Sequence, residues 1–145
     1  MALHENPPRD AIRKLLVEAT SIAIVGASSS PDRPSYGIMK KLLAAGYRVV
    51  PVNPNETEVL GQRAVASLSD VPPPVHIVNV FRRSELTPPL ADEAARAGAT
   101  AIWLQTGIWN EETAARAAAH GLMVIMDECI GVVHSLFGVP RKPAA

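Results

Sequence analysis

The chain carries a single cysteine, Cys129, so no internal disulfide can form and a reducing compartment is the expected setting. Aromatic residues are equally scarce. At 4% of 145 residues they leave few surfaces on which successive bases could stack, which argues against a single-strand nucleic-acid reader. Charge of one sign is missing too: 14 Lys and Arg face 14 Asp and Glu. Any anion site must therefore be local, and neither disorder nor an extended nucleic-acid footprint is implied. No apolar run approaches the roughly 18 residues of a membrane span. The opening Met1-Ala2-Leu3-His4-Glu5-Asn6 lacks the basic-then-apolar pattern of an export leader. The four histidines, His4, His76, His120 and His134, show no metal-ligand spacing and have no cysteine companions, so no metal is expected. These absences describe a cytoplasmic protein that engages neither membrane nor nucleic acid.

What is present is apolar and regularly punctuated. Hydrophobic residues make up 48% of the chain, and its length suits one domain over residues 1–145 that buries its own core. Thirteen prolines with abundant Ala and Arg fit a thermophile or a GC-rich genome. Three times an alanine-rich stretch runs into a glycine and then a short apolar run. Ala44-Ala45-Gly46 precedes Tyr47 to Val52, Arg96-Ala97-Gly98 precedes Ala99 to Leu104, and Ala119-His120-Gly121 precedes Leu122 to Met126. Glycine beyond a helix end supplies the left-handed residue that stops the helix, and the apolar run reads as a strand buried on both faces. Ile22 to Val25 and His76 to Val80 complete five strands. Thr87-Pro88 and Asn110-Glu111-Glu112 read as helix starts, and His120 can complement a helix dipole. Ile12, Leu15, Leu16 and Ala19 share one helical face, so residues 1–20 form a helical extension packed on the domain, and 138–145 form a tail. Alternation of strands and helices predicts an α/β, Rossmann-like, doubly wound, five-stranded parallel sheet with helices on both faces. Its functional edge lies at the carboxyl ends of the strands.

Each strand end contributes candidates. The first opens into Gly26-Ala27-Ser28-Ser29-Ser30-Pro31-Asp32-Arg33-Pro34-Ser35-Tyr36-Gly37 and then a helix. Small residues let backbone N–H groups approach a phosphate, hydroxyls add donors, the helix adds its positive end, and Arg33 adds a charge. Ser28 and Pro31 stand where a dinucleotide fingerprint has glycines, and no Gly-Lys-Ser/Thr ending is present. After the second strand comes Asn53-Pro54 rather than the acid that grips an NAD ribose, so a 3′-phosphorylated ribose would not be repelled. The third delivers Phe81-Arg82-Arg83, suited to an adenine face and a phosphorylated ribose. The fourth ends in Leu104-Gln105-Thr106-Gly107, neutral groups of the kind that amide-rich ligands want; Trp103 reads as core. The fifth leads to Asp127-Glu128-Cys129, where the carboxylates oppose activation of the thiol and no histidine is adjacent.

These stretches together resemble the small stand-alone CoA-binding proteins of bacteria and archaea, whose domain is similar to that of the succinyl-CoA synthetase α subunit and of ADP-forming acetyl-CoA synthetases. The resemblance spans Ser21 to Leu136. It rests on Val25-Gly26-Ala27-Ser28-Ser29, Asp32-Arg33-Pro34-Ser35-Tyr36-Gly37, Pro51-Val52-Asn53-Pro54, Val80-Phe81-Arg82-Arg83 and Leu104-Gln105-Thr106-Gly107. It implies that Gly26 and Ser28 to Ser30 cradle CoA phosphates, that Asn53-Pro54 borders the nucleotide, that Phe81 lies near the adenine, and that Leu104 to Thr106 line the ligand's path. The phosphorylated-histidine domain that follows in the synthetases has no counterpart here, so His134 lacks that context and the ligase chemistry is not implied. The expected function is non-catalytic binding of coenzyme A or an acyl-CoA, with no protein partner indicated. The alternative is a small NAD-dependent or Cys129-dependent acyl-transfer enzyme.

Overall fold

The computed structural model describes residues 3–143; the outermost residues of the expected extension and tail, 1–2 and 144–145, lie outside them. The apolar runs form five parallel strands: β1 (Ser21–Val25), β2 (Arg48–Val52), β5 (Ile77–Val80), β6 (Ala101–Leu104) and β7 (Met123–Ile125). A two-stranded hairpin, β3 (Glu58–Val59) with β4 (Gln62–Arg63), interrupts the passage from β2 to β5. The sheet order is β2-β1-β5-β6-β7. Among the described residues five α-helices complete the fold: α1 (Arg9–Glu18), α2 (Pro34–Ala44), α3 (Pro88–Arg96), α4 (Glu111–Ala119) and α5 (Ile130–Leu136).

Because side chains alternate along a strand, each face of the sheet builds its own core. Ile22, Ile24, Ile77, Trp103 and Ile125 pack against α1, α2 and α5. Ala23, Val25, Val78, Val80, Ile102 and Leu104 pack against the alanine faces of α3 and α4. This is the doubly wound, Rossmann-like architecture expected from the sequence. The α1 face behaves as anticipated, with Ile12, Leu15, Leu16 and Ala19 all buried.

The helix starts divide. Asn110 caps α4, accepting from the Thr113 N–H at 3.0 Å. Thr87 precedes α3 but does not cap it. Its hydroxyl turns back to the Ser84 carbonyl at 2.8 Å and meets the Thr113 hydroxyl at 2.7 Å, so it ties α3 to α4 rather than serving the first turn. His120 ends α4 and pairs with Asp92 of α3 at 2.9 Å; that bond, with Arg116 beside it, holds the Asp92 carboxyl below its ordinary range.

On the opposite face Tyr47 is buried, and its hydroxyl donates to the Leu16 carbonyl at the end of α1. Burial pushes its phenol up to about 12. Neighbouring His134 meets Tyr47 in a T-shaped arrangement with ring centres 5.7 Å apart, and burial, reinforced by Lys41 and Lys142, pushes its imidazole down. For Tyr47 the folded pKa lies above the unfolded value near 10. Its contribution is therefore intact below pH 10 and lost as pH rises toward 12, by about 2 kcal/mol. Denaturation midpoints followed from pH 9 to 12 should fall less steeply in Tyr47→Phe. An identical decline in that variant would assign the loss to another group.

Candidate functional site

The parallel order reverses direction at β1, where α2 leaves toward β2 on one face and α3 serves the other, and the carboxyl ends of β1 and β5 open a crevice there. Such switch points are where doubly wound sheets bind ligands. A cavity of about 710 Å³ occupies this one.

Gly26 forms the floor. Its φ of 88° is one an L side chain rarely adopts, and it lies directly against the Phe81 carbonyl, where a Cβ would overlap. Phe81 N–H donates to Val25 O at 2.8 Å and Gly26 N–H to Val52 O at 2.9 Å, so the loops after β1, β2 and β5 are pinned together at their roots. Ser28 lines the cavity, as do Pro34 and Ser35 in the first turn of α2. No side chain caps that helix; Pro34 has no N–H and the Tyr36 N–H donates to the Arg33 carbonyl at 3.0 Å, so the positive dipole end borders the cavity with Ser35 as its first-turn donor. The Ser28 hydroxyl accepts from the Ser30 N–H at 3.0 Å, which fixes its oxygen and leaves its proton to donate.

The other candidates of this loop lie differently. Ala27 is fully buried in the core, and Tyr36 packs, half-buried, against the same core. The Ser30 hydroxyl donates to Asp32, which lowers that carboxyl's pKa. Ser29 turns away from the cavity: its N–H and hydroxyl both donate to the Glu56 carboxylate, at 2.6 and 2.8 Å.

Asn53 borders the cavity, donating from its amide to the Ala27 carbonyl at 2.8 Å while its Oδ1 accepts from the Asn55 N–H at 2.9 Å. Pro54 belongs instead to a neighbouring groove. Across the crevice Phe81, Arg82 and Arg83 form the opposite wall. Arg83 pairs with Glu85 at 3.5 Å, both exposed; among the described residues Arg33 and Arg82 form no ion pair, although the charge of Arg33 helps to lower the neighbouring Asp32 carboxyl.

Gln105 and Thr106 close the third side, whereas Leu104 points into the core. Gln105 is held by two donors on its Oε1, the Ile130 N–H at 2.9 Å and the Asn79 amide at 3.0 Å. That arrangement turns its Nε2 toward the ligand space as a donor. Asn79, fully buried in β5, is a residue the sequence reading passed over; a lone amide within the apolar run Ile77-Val78-Asn79-Val80 was the available signal. Ile38, Ile108 and Cys129 also line the cavity. The carboxylates flanking Cys129 are tied elsewhere, Asp127 to the Gly107 N–H at 2.6 Å and Glu128 to Arg9 at 3.2 Å. Trp103 is core, as expected, and Trp109 stands outside, bonded to Glu111 at 2.6 Å. Among the described residues no group of three or more His, Cys, Asp or Glu could hold a metal, and no helix is long and apolar enough to cross a membrane.

Small-residue loop, helix N-terminus and facing arginines define a nucleotide-type anion site on a doubly wound sheet. The profile of the CoA binding domain family matches residues 20–135, and the chain belongs to that family. It is 43% identical over 132 residues to the uncharacterized protein YneT of Bacillus subtilis, covering 91% of this chain and 98% of that one. It is 24% identical to an ADP-forming acetate–CoA ligase of Methanocaldococcus jannaschii, aligning over 88% of this chain but spanning only 19% of the ligase. Among solved structures, a hypothetical protein from Pyrococcus horikoshii superposes with a TM-score of 0.88 at 33% identity, covering 94% of this chain and 99% of that one.

Proposed function

We propose that this chain binds coenzyme A or an acyl-CoA in the cavity at the β1/β5 switch point and holds it without transforming it, as a single binding unit of the cytoplasm. The observation that carries the reading is the pairing of the Gly26–Ser28 loop and α2 N-terminus on one wall with Arg82 and Arg83 on the other. One wall suits a pyrophosphate, and the other a 3′-phosphorylated ribose with its adenine stacked near Phe81 or a guanidinium. Gln105 Nε2 and Thr106 then offer hydrogen bonds to the amide-rich arm. Family membership supports CoA as the nucleotide.

Calorimetry should show CoA binding more tightly than 3′-dephospho-CoA. A charge-assisted contact contributes about 1.5–3 kcal/mol, so Arg82→Ala should weaken CoA roughly tenfold or more and 3′-dephospho-CoA much less. No heat and no thermal shift at millimolar CoA would sink the proposal. Cys129 at the cavity wall is the one observation favouring an acyl-transfer catalyst instead. If Cys129→Ala abolished thioester turnover while sparing CoA binding, that second reading would replace the first.

A further inference from the structure

The loop that would cradle phosphates already holds an anion of the protein's own. Ser29 presents its N–H and its hydroxyl to the two oxygens of the Glu56 carboxylate, at 2.6 and 2.8 Å, a two-donor arrangement that would equally suit two oxygens of a phosphate. Glu56 is not an exposed chain end that has wandered onto the loop. It closes the turn that begins at Asn53, where Glu56 N–H donates to the Asn53 carbonyl at 3.2 Å and the Asn53 amide grips Ala27 at 2.8 Å. The backbone thus delivers the carboxylate to Ser29, next to Ser28 in the cavity wall.

We propose that Glu56 is an affinity- and specificity-setting residue: an internal anion that holds the Ser29 donors away from the cavity in the free protein and must release them, so that Ser29 can turn inward beside Ser28, when a ligand phosphate arrives. The inference rests on the CoA reading only for the identity of that ligand. The carboxylate opposes binding twice, by holding the donors and by repelling the incoming charge. At about 8 Å in water one unit charge repels another by about 0.5 kcal/mol, so two phosphate charges correspond to roughly a fivefold loss of affinity.

The test is calorimetric titration of the wild type, Glu56→Gln, Glu56→Ala and Glu58→Gln with CoA and, separately, with inorganic pyrophosphate. Both Glu56 variants are expected to bind each ligand roughly fivefold more tightly. Glu58, exposed on β3 and without a bond to Ser29, should change binding less than about twofold when neutralised. Equal or weaker binding by Glu56→Gln and Glu56→Ala would show that the carboxylate braces the loop, and would overturn the proposal; so would an equal gain in Glu58→Gln, which would mark a general field. If pyrophosphate binding tightens in the Glu56 variants but CoA binds to none of the proteins, the Glu56 inference stands and the CoA reading falls. If CoA binds all of them alike, the reverse holds. Failure of both ligands with every protein overturns both.

Discussion

Gln105→Leu is expected to lose about 2–4 kcal/mol of stability, although the substitution roughly preserves volume and sits at the rim of the cavity. Its Oε1 is the shared acceptor for the Ile130 N–H and the Asn79 amide, and both donors are buried. Removing the acceptor strands the Ile130 N–H and leaves the Asn79 amide only its long bond to the Trp103 carbonyl at 3.4 Å, and a buried polar group left unsatisfied costs about 1–3 kcal/mol. Urea unfolding should show the loss as a lower midpoint with unchanged slope. Ligand affinity should fall as well, since the donor facing the cavity goes with the side chain. The double variant Asn79→Leu/Gln105→Leu should be less destabilised than the sum of the singles, because one stranded donor has been removed. A loss below about 1 kcal/mol in Gln105→Leu would mean that the network does not position this side chain.

Gly26→Val should be harsher. The residue has φ 88°, and a Cβ there would run into the Phe81 carbonyl oxygen and approach its carbonyl carbon at 3.1 Å and its Cβ at 3.3 Å. The obstacle is backbone belonging to the neighbouring strand, so it cannot swing aside. A left-handed conformation costs an L residue about 1–2 kcal/mol, and overpacking adds about 1–3. The expected outcome is a loss of about 3 kcal/mol or more, with CoA-dependent thermal stabilisation abolished. Gly37 makes the contrast. It lies inside α2 with nothing within 4 Å of its would-be Cβ, and Gly37→Ala should raise stability by about 0.5–1 kcal/mol. Wild-type stability and CoA response in Gly26→Val would remove the crevice floor from the site.

Much of this fold is legible in the sequence itself. The five main strands were legible because a strand covered on both faces must be apolar throughout, and because Gly46, Gly98 and Gly121 end the preceding helices at positive φ. The hairpin was not. Its tight turn places Leu60 at φ 51° ahead of Gly61, and leucine is not a residue that announces a left-handed turn. Helix α5 was hidden in Ile130-Gly131-Val132-Val133, a poor helix former held by burial of Ile130 and Val133 and by Gln105 at its first N–H. At the site, residues just past strand ends were foreseeable, since topology alone brings them to one edge. Which of three consecutive serines faces the cavity was not. That choice depends on Glu56, which lies beyond a turn whose direction no local pattern specifies, and on the order in which side chains alternate around Ala27.

The Tyr47 hydroxyl bond to the end of α1 is flanked by Lys142, which bears on how the protein is made. Lys142 donates from its backbone to Ala45 at 2.7 Å and from its ammonium to Leu16 at 2.9 Å, across 126 positions of sequence. The same ammonium lies 5.0 Å from the centre of the Tyr47 ring. Helix α1 lies well before residue 142 along the chain, so its closing carbonyls acquire this partner only after residue 142 has been added. During synthesis, α1 is therefore among the last helices of this fold to be sealed.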